Sequence, residues 1–296
     1  QAGRLSLRDL VSEMLAHTEA VEGRVKAFAH HGREFVDLQT ERLEPLKHAG
    51  LALPRLYGVP VAIKDNIDTA DYPTEWGFVG ARGRTPSADA YLVHKLRRAG
   101  ALIWAKSRTT ELAYLHPAIT ENPRAPGHTP GGSSSGSAAA VASGQVPVAI
   151  GTQTNGSVIR PASFCGVYGY KPTRGLIFNG GVLRCAPSLD QVGVFARHVE
   201  DLAAVAEVMI GGHQQEGGAL VFPMNLLDVC REEPPLPPKL MFCRTPMWDQ
   251  VDPRSQVAFE ALAEELSDCM VEVELPASTA QAVPWLKTVM EAEMHV

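Results

Sequence analysis

GGSSSGSAAAVASGQVPVAIGTQTNGSVIRPASFCGVYGYKPTR, residues 131–174, holds the densest chemistry in the chain. Two serine-bearing turns, Gly131-Gly132-Ser133-Ser134-Ser135-Gly136 and Thr154-Asn155-Gly156-Ser157, flank a small-residue segment over 135–143 and an apolar run over 145–150. Glycine beside hydroxyl side chains lets a backbone approach a ligand closely and turn its N–H groups toward it. The second turn runs into Val158-Ile159-Arg160-Pro161, which reads as a helix opening, and the unpaired N–H groups of an opening favour an anion. A serine held among such donors is what acyl transfer requires.

Three chemistries use turns of this kind. A phosphate loop needs G-x-x-x-x-G-K-[ST], but Ser137 follows Gly136, so the lysine is missing. A nucleophile elbow needs G-x-S-x-G, which 132–136 matches with Ser134 at the centre. That elbow follows a strand directly, and Arg124-Ala125-Pro126-Gly127-His128-Thr129-Pro130 is no strand. The elbow would also need an Asp and a His downstream, with Asp190 and His198 the nearest pair. The third chemistry is a serine activated by lysine. Val59-Pro60-Val61-Ala62-Ile63-Lys64-Asp65-Asn66 supplies one at the end of an apolar strand, where an exposed strand-end lysine is the plainer alternative.

Taken in order, Val61-Ala62-Ile63-Lys64-Asp65, Gly131-Gly132-Ser133-Ser134, Gly151-Thr152-Gln153-Thr154-Asn155-Gly156-Ser157, and Cys165-Gly166 with Lys171-Pro172-Thr173 resemble the amidase signature family. The resemblance runs from about Leu5 to about Leu275. It implies an α/β fold in one domain spanning 1–296, with a large mixed β-sheet covered by helices on both faces. It implies Ser157 as nucleophile, Ser133 as the bridging serine in a cis peptide, and Lys64 as base. The oxyanion would lie among the N–H groups of Thr154, Asn155, Gly156 and Ser157, and Ser134 and Arg160 would contact substrate. Asn155 stands where many relatives have glycine. Arg160 comes three residues after Ser157, where many relatives have arginine two after. That placement resembles the branch acting on small carboxylated amides, such as malonamidase and the ureido-acid hydrolases. An arginine fork holds a carboxylate bidentately, although an ion pair within the fold would use the same residue.

Composition sets the bounds. With 296 residues, 45% hydrophobic and 20% charged, the chain can bury a sizeable core. A formal charge of −6 argues against nucleic acid or an anionic membrane as partner. No apolar run approaches the roughly 18 residues that span a bilayer, and no signal-peptide pattern opens the chain. The five cysteines (165, 185, 230, 243 and 269) are widely spaced without C-x-x-C and read as reduced thiols, so a cytoplasmic protein is expected. Ten histidines form no H-E-x-x-H, so neither a metal nor a cofactor is expected, and His30-His31 reads as a solvated pair. The chain stops at Met294-His295-Val296 without turn or cap, which makes a missing C-terminal portion an expectation.

Along the chain, Ser6 and Asp9 form a capping box before Leu7, Leu10, Val11, Met14 and Leu15, which keep helical spacing. Helices are also predicted over 34–48, 135–143, 198–210 and 253–269, and from a Ser87 cap to Gly100. Strands are predicted within 56–63 and over 101–105, 145–150, 239–244 and 270–275. Gly211-Gly212 should end the 198–210 helix, and the proline-rich 232–238 reads as a connector after which the same sheet resumes.

The expected activity is a serine amidohydrolase that cleaves a small linear amide to acid and ammonia. A homodimer is expected, with room for a small accessory subunit. The enzyme alternative is a glutaminyl-tRNA amidotransferase-like subunit, disfavoured by Gln153 and the S-V-I-R-P spacing. An inactive scaffold is the non-enzyme alternative, and the intact Lys64, Ser133 and Ser157 argue against it.

Overall fold

The computed structural model describes residues 6–49, 52–211 and 225–294, and the chain divides into two compact units, Gln1–Cys230 and Arg231–Val296. In the first unit Ser6 opens helix α1 (Leu7–Val25) by accepting the Asp9 amide on its Oγ at 3.1 Å. Leu7, Val11 and Leu15 form the buried stripe that the spacing predicts. A short strand β1 (Phe28–His31) and helix α2 (Arg33–His48) follow. Strand β1 has four residues of mixed polarity, too few to show a two-residue period. It also corrects the reading of His30-His31 as solvated: both are half-buried, and His30 Nε2 lies 3.2 Å from Glu75 Oε2.

Strands β2 (Pro60–Lys64) and β3 (Leu102–Ser107) flank helix α3 (Tyr91–Arg98). Helix α3 begins after Ala90 without a side-chain cap, so Ser87 is not its cap, and Gly100 at φ 84° turns the chain out of it. Helix α4 (Ser135–Ala142) leads to β4 (Val148–Gln153), which starts three residues later than the apolar run suggests and runs on to the turn at 154. Helix α5 (Ile159–Cys165), β5 (Tyr168–Tyr170), β6 (Gln191–Ala196), α6 (Val199–Met209) and α7 (Leu226–Arg231) complete the series. Gly211 follows α6 at φ 84°, and Gly212 lies outside the described residues.

Six strands form one mixed sheet in the order β1-β3-β2-β4-β6-β5. Both neighbours of β2 run parallel to it, and β6 returns antiparallel to β4. The chain leaves β2 through α3 to β3 on one side, then passes through α4 to β4 on the other. Reversal of strand order at β2 makes the carboxyl ends of β2 and β4 the topological switch point, where α/β sheets place their ligands. Side chains alternate across the sheet. Val61, Ile63, Ile103, Val148, Ile150, Val192 and Val194 pack with α3 and α6. Ala62, Leu102, Trp104, Ala149 and Phe195 pack with α1, α4 and α5. Helices thus cover both faces, as expected. Helix α4 is buried along 135–141 because its residues are small, and a Cβ at Gly136 would lie 2.1 Å from the Ala27 carbonyl oxygen.

One irregularity decides where two lysines go. Val61 stands opposite Ile103 but Ala62 opposite Ala105, so Trp104 is an extra residue in β3. Beyond it Ile63 faces Lys106 and Lys64 faces Ser107. Paired residues share a face, so Lys64 and Lys106 point to opposite sides of the sheet.

In the second unit, β7 (Leu240–Phe242) and β8 (Met270–Glu272) pair parallel around helix α8 (Pro253–Glu265), and α9 (Ala282–Glu293) ends the described chain. Both predicted strands are present, but they form their own two-stranded sheet and do not extend the six-stranded one. The proline-rich 232–238 is neither helix nor strand. Trp248 packs edge-on to Phe242 and Phe259, with the Arg244 guanidinium 5.1 Å from the Phe242 ring centre.

Trp104 is 1% exposed and fills the space between the sheet and its α1-side helices. Trp104→Ala should lower unfolding free energy by about 3–5 kcal/mol. The urea midpoint should fall while the slope stays unchanged.

Candidate active site

Strand β2 is apolar through Ile63, and its last residue, Lys64, is carried into the sheet's covered edge with 0% exposure. Its Nζ donates to Ser133 Oγ at 2.7 Å and to Thr152 Oγ1 at 2.8 Å. Asn66 Nδ2 reaches the same Thr152 hydroxyl at 3.0 Å. Among the described residues no carboxylate is hydrogen-bonded to the amine. Burial drives the Lys64 pKa down to about 7, against the opposing pull of Cys185 and Asp190. An amine in that range is neutral often enough at neutral pH to take a proton.

Ser133 sits at the Gly132–Ser133 peptide, which is cis. Its carbonyl accepts the Thr110 amide at 3.1 Å, and its side chain is nearly buried. Ser134 follows at 0% exposure, its Oγ donating to the Thr152 carbonyl at 3.2 Å and accepting the Thr152 amide at 3.3 Å. Expected as a substrate contact, it stands as a strut between this loop and β4.

Strand β4 delivers the second turn. Gly156 takes the left-handed conformation at φ 80°, while Asn155 is exposed and not left-handed. The glycine retained at 156 therefore removes the demand on Asn155 that its place in the motif suggests. Ser157 is 8% exposed. Gln153 caps α5 with its side chain, Oε1 accepting the Val158 and Ile159 amides at 2.9 and 3.1 Å. Among the described residues the amides of Thr154, Asn155, Gly156 and Ser157 have no acceptor. Adjacent unpaired donors at a helix opening are able to stabilise a negative charge.

Arg160 ties the two turns together. Its Nε and Nη2 donate to the Gly132 carbonyl at 3.2 and 2.9 Å, the carbonyl of the cis peptide itself. Nη1 lies on the Gly156 side, 3.4 Å from where a Cβ there would stand. The structure thus brings Lys64 and Ser133 into contact and holds the 154–157 turn against the Ser133 loop. It does not assemble the elbow's partners. Asp190 and His198 lie beyond opposite ends of β6, six residues of strand or about 20 Å apart, and Ser134 is enclosed.

Sequence reading passed over Thr152, Asn66 and Lys106. Lys106 is also 0% exposed, and its Nζ donates to the Ile67 carbonyl at 2.5 Å and to the Thr74 and Thr69 hydroxyls at 2.6 and 3.2 Å. It holds the 67–74 segment from the opposite face of the sheet, and burial lowers its pKa to about 8. A signal was present, since 60–64 and 102–107 are both short apolar runs that carry a lysine at or next to the end. Thr152 and Asn66 gave none, because their value lies in distance to Lys64. Among the described residues no group of histidine, cysteine or acidic side chains could hold a metal, and no helix is long and apolar enough to cross a membrane.

The Amidase family model matches residues 9–295, so the chain belongs to the Amidase family. A glutamyl-tRNA(Gln) amidotransferase subunit from Picosynechococcus sp. is 39% identical over 218 residues, 72% of this chain and 45% of that protein. Its counterpart from Symbiobacterium thermophilum is 40% identical over 222 residues, 73% of this chain and 46% of that protein. The chain thus spans about half the length of these relatives. Among solved structures, one reported as a vestigial protein complex revealing the origins of an s-triazine catabolic enzyme has TM-score 0.88 at 30% identity, covering 99% of this chain and 65% of that one. Native peptide amidase from Stenotrophomonas maltophilia has TM-score 0.82 at 28% identity, covering 99% of this chain and 63% of that one.

The Lys64 environment has a consequence for stability. Folding lowers its pKa from 10.5 to about 7, so between those values the unfolded chain holds a proton that the folded chain lacks. The Lys64 contribution to stability therefore rises with pH across that window and is least favourable below it. Lys64→Met removes this dependence, so the variant's gain over wild type should be larger at pH 6 than at pH 10. Urea unfolding at both pH values measures the difference.

Proposed function

We propose that this chain carries the active site of a serine amidohydrolase acting on a small linear amide. One observation carries the reading: a buried amine, Lys64 Nζ, lies 2.7 Å from Ser133 Oγ beside a turn whose four amides have no acceptor. Ser157 Oγ attacks the amide carbonyl carbon. Its proton passes to Ser133 as the Ser133 proton passes to neutral Lys64. The carbonyl oxygen becomes an oxyanion among the amides of 154–157, where loss of one donor typically costs about 2.7–4 kcal/mol of barrier. The C–N bond breaks as the leaving nitrogen takes a proton back through Ser133. Water then adds to the acyl–Ser157 ester by the same proton path, releasing the acid and restoring Ser157. No cofactor enters these steps.

The substrate we favour bears a carboxylate. Arg160 is exposed at the mouth with Nε and Nη2 on the Gly132 carbonyl, which leaves Nη1 facing the 154–157 turn. A second reading is a subunit that releases ammonia from glutamine for transfer on tRNA. It is favoured by the names of the amidotransferase relatives and their 39–40% identity. The chemistry at Ser157 is the same in both, and the acceptor of the ammonia differs.

Ammonia release from short amides, with and without a terminal carboxylate and in the absence of tRNA and ATP, tests the proposal. Turnover should rise through about pH 7 as Lys64 loses its proton. Ser157→Ala should abolish it at unchanged melting temperature, whereas Ser134→Ala should retain measurable turnover. The reverse ranking sinks the assignment.

Arg160→Ala separates clamp from tie. A charged hydrogen bond is worth about 1.5–3 kcal/mol, so kcat/KM for carboxylated amides should fall roughly tenfold to a hundredfold more than for neutral ones. Arg160→Lys should restore only part, because an ammonium lacks the planar fork. Equal losses for both substrates, with a lower melting temperature, would leave Arg160 as a tie to Gly132 alone.

A further inference from the structure

We propose that Asp190 is the positioning residue of the 154–157 turn, fixing Thr154 so that the amides after it are aimed in one direction. The inference rests on the reading of that turn as the oxyanion site. The sheet itself cannot aim the turn. The β4–β6 ladder ends at Gln153 opposite Gln191, and among the described residues no backbone bond holds the chain from Thr154 onward until Arg160 N meets the Gly156 carbonyl at 2.8 Å. Side chains close this gap, and the Cys185 thiol also meets the Thr154 hydroxyl. Gln153 takes the far end by accepting the amides of Val158 and Ile159. Asp190 takes the near end, its Oδ1 accepting the Thr154 hydroxyl.

The carboxylate is anchored independently of the turn. Oδ2 accepts the Cys185 amide at 2.8 Å and the Ala186 amide at 3.0 Å. The Asp190 backbone is held as well, its amide donating to the Ala186 carbonyl at 2.8 Å and its carbonyl accepting Asn179 Nδ2 at 3.0 Å. Only an acidic side chain of this length can accept on both oxygens at once, so Thr154 is pinned to a fixed point. Oxyanion donors act through placement, and a misplacement of about 1 Å costs roughly a hundredfold.

The same charge reaches the base. The titratable groups facing Lys64 are Cys185 and Asp190, both on the 185–190 segment. Ser133 and Thr152, in contact from the 131–134 loop and β4, are neutral hydroxyls. Asp65, next in sequence, turns its carboxylate to the amides of Glu75 and Gly77. Asp190 therefore favours the ammonium form of Lys64 while holding the oxyanion turn, and its removal has two separable effects.

Asp190→Asn keeps the size of the side chain but has one accepting oxygen where the carboxylate has two, so with that oxygen on the Cys185 and Ala186 amides the Thr154 hydroxyl loses its acceptor. In the whole protein kcat should fall roughly tenfold to a hundredfold with KM changed far less, and the acid limb of the pH profile should move to lower pH. Thr154→Val, which removes the hydroxyl and leaves the charge, should lower kcat with the acid limb unmoved. The double variant should lose little beyond the worse single one. Wild-type kcat with an unmoved acid limb in Asp190→Asn overturns the proposal, as do additive losses in the double variant. A lower melting temperature with the acid limb in place marks a fold contact only and overturns it too. If the wild-type protein releases no ammonia and Ser157→Ala matches it, the amidohydrolase reading fails. The Asp190–Thr154 tie is then read from the same two variants in urea unfolding, where additive destabilisation sinks it and strong coupling sustains it.

Discussion

A primary amine enclosed at the end of a central strand must be compensated by a negative charge or give up its proton, and Lys64 is enclosed by hydroxyls. Ser133 and Thr152 satisfy its hydrogen bonds without neutralising it. Water is excluded because β2 lies between β3 and β4, with apolar layers on both faces. Desolvation therefore sets the protonation equilibrium, and Cys185 and Asp190 only moderate it. The features around Lys64 keep it dry, hydrogen-bonded and within reach of one serine.

That arrangement follows from sheet topology more than from local sequence. The change of direction at β2 sets the ends of β2 and β4 side by side, and the extra residue at Trp104 sends Lys106 to the other face. The two buried lysines then divide the work. Lys64 faces the serine loop, and Lys106 holds the 67–74 segment that leaves β2 by donating to three oxygens. Burial of each amine is tolerated because it donates hydrogen bonds to oxygen atoms around it. Arg160 and Gln153 do the matching work across the mouth, one gripping the cis peptide's carbonyl and the other capping α5.

The second unit shows where pattern reading loses its hold. Its strands were legible as short apolar runs, yet β7 and β8 pair only with each other. A run of three or four residues states that a strand forms and carries no information about which edge it joins. Strand β1 was missed for the same reason, being four residues of mixed polarity. The start of α3 was misplaced because a serine three residues upstream of the true boundary offered a cap that the backbone does not use.

The sequence by itself determined the elements with strong period and the residues whose types and order define the chemistry. The stripe of α1, the apolar run ending in Lys64, the small residues of α4 and the serine turns could all be read from 6–15, 59–66 and 131–157. Glycine at 156 and hydroxyls at 133 and 157 are local demands, and local demands leave local traces. Only the tertiary structure decided that Thr152 and Asn66 brace Lys64, that Ser134 is a strut, that Arg160 grips Gly132, and that Asp190 fixes Thr154. Those contacts join residues 18 to 88 positions apart in the chain. A side chain's partner at that separation is set by register and by which strand lies next to which, and neither is written in the neighbouring residues.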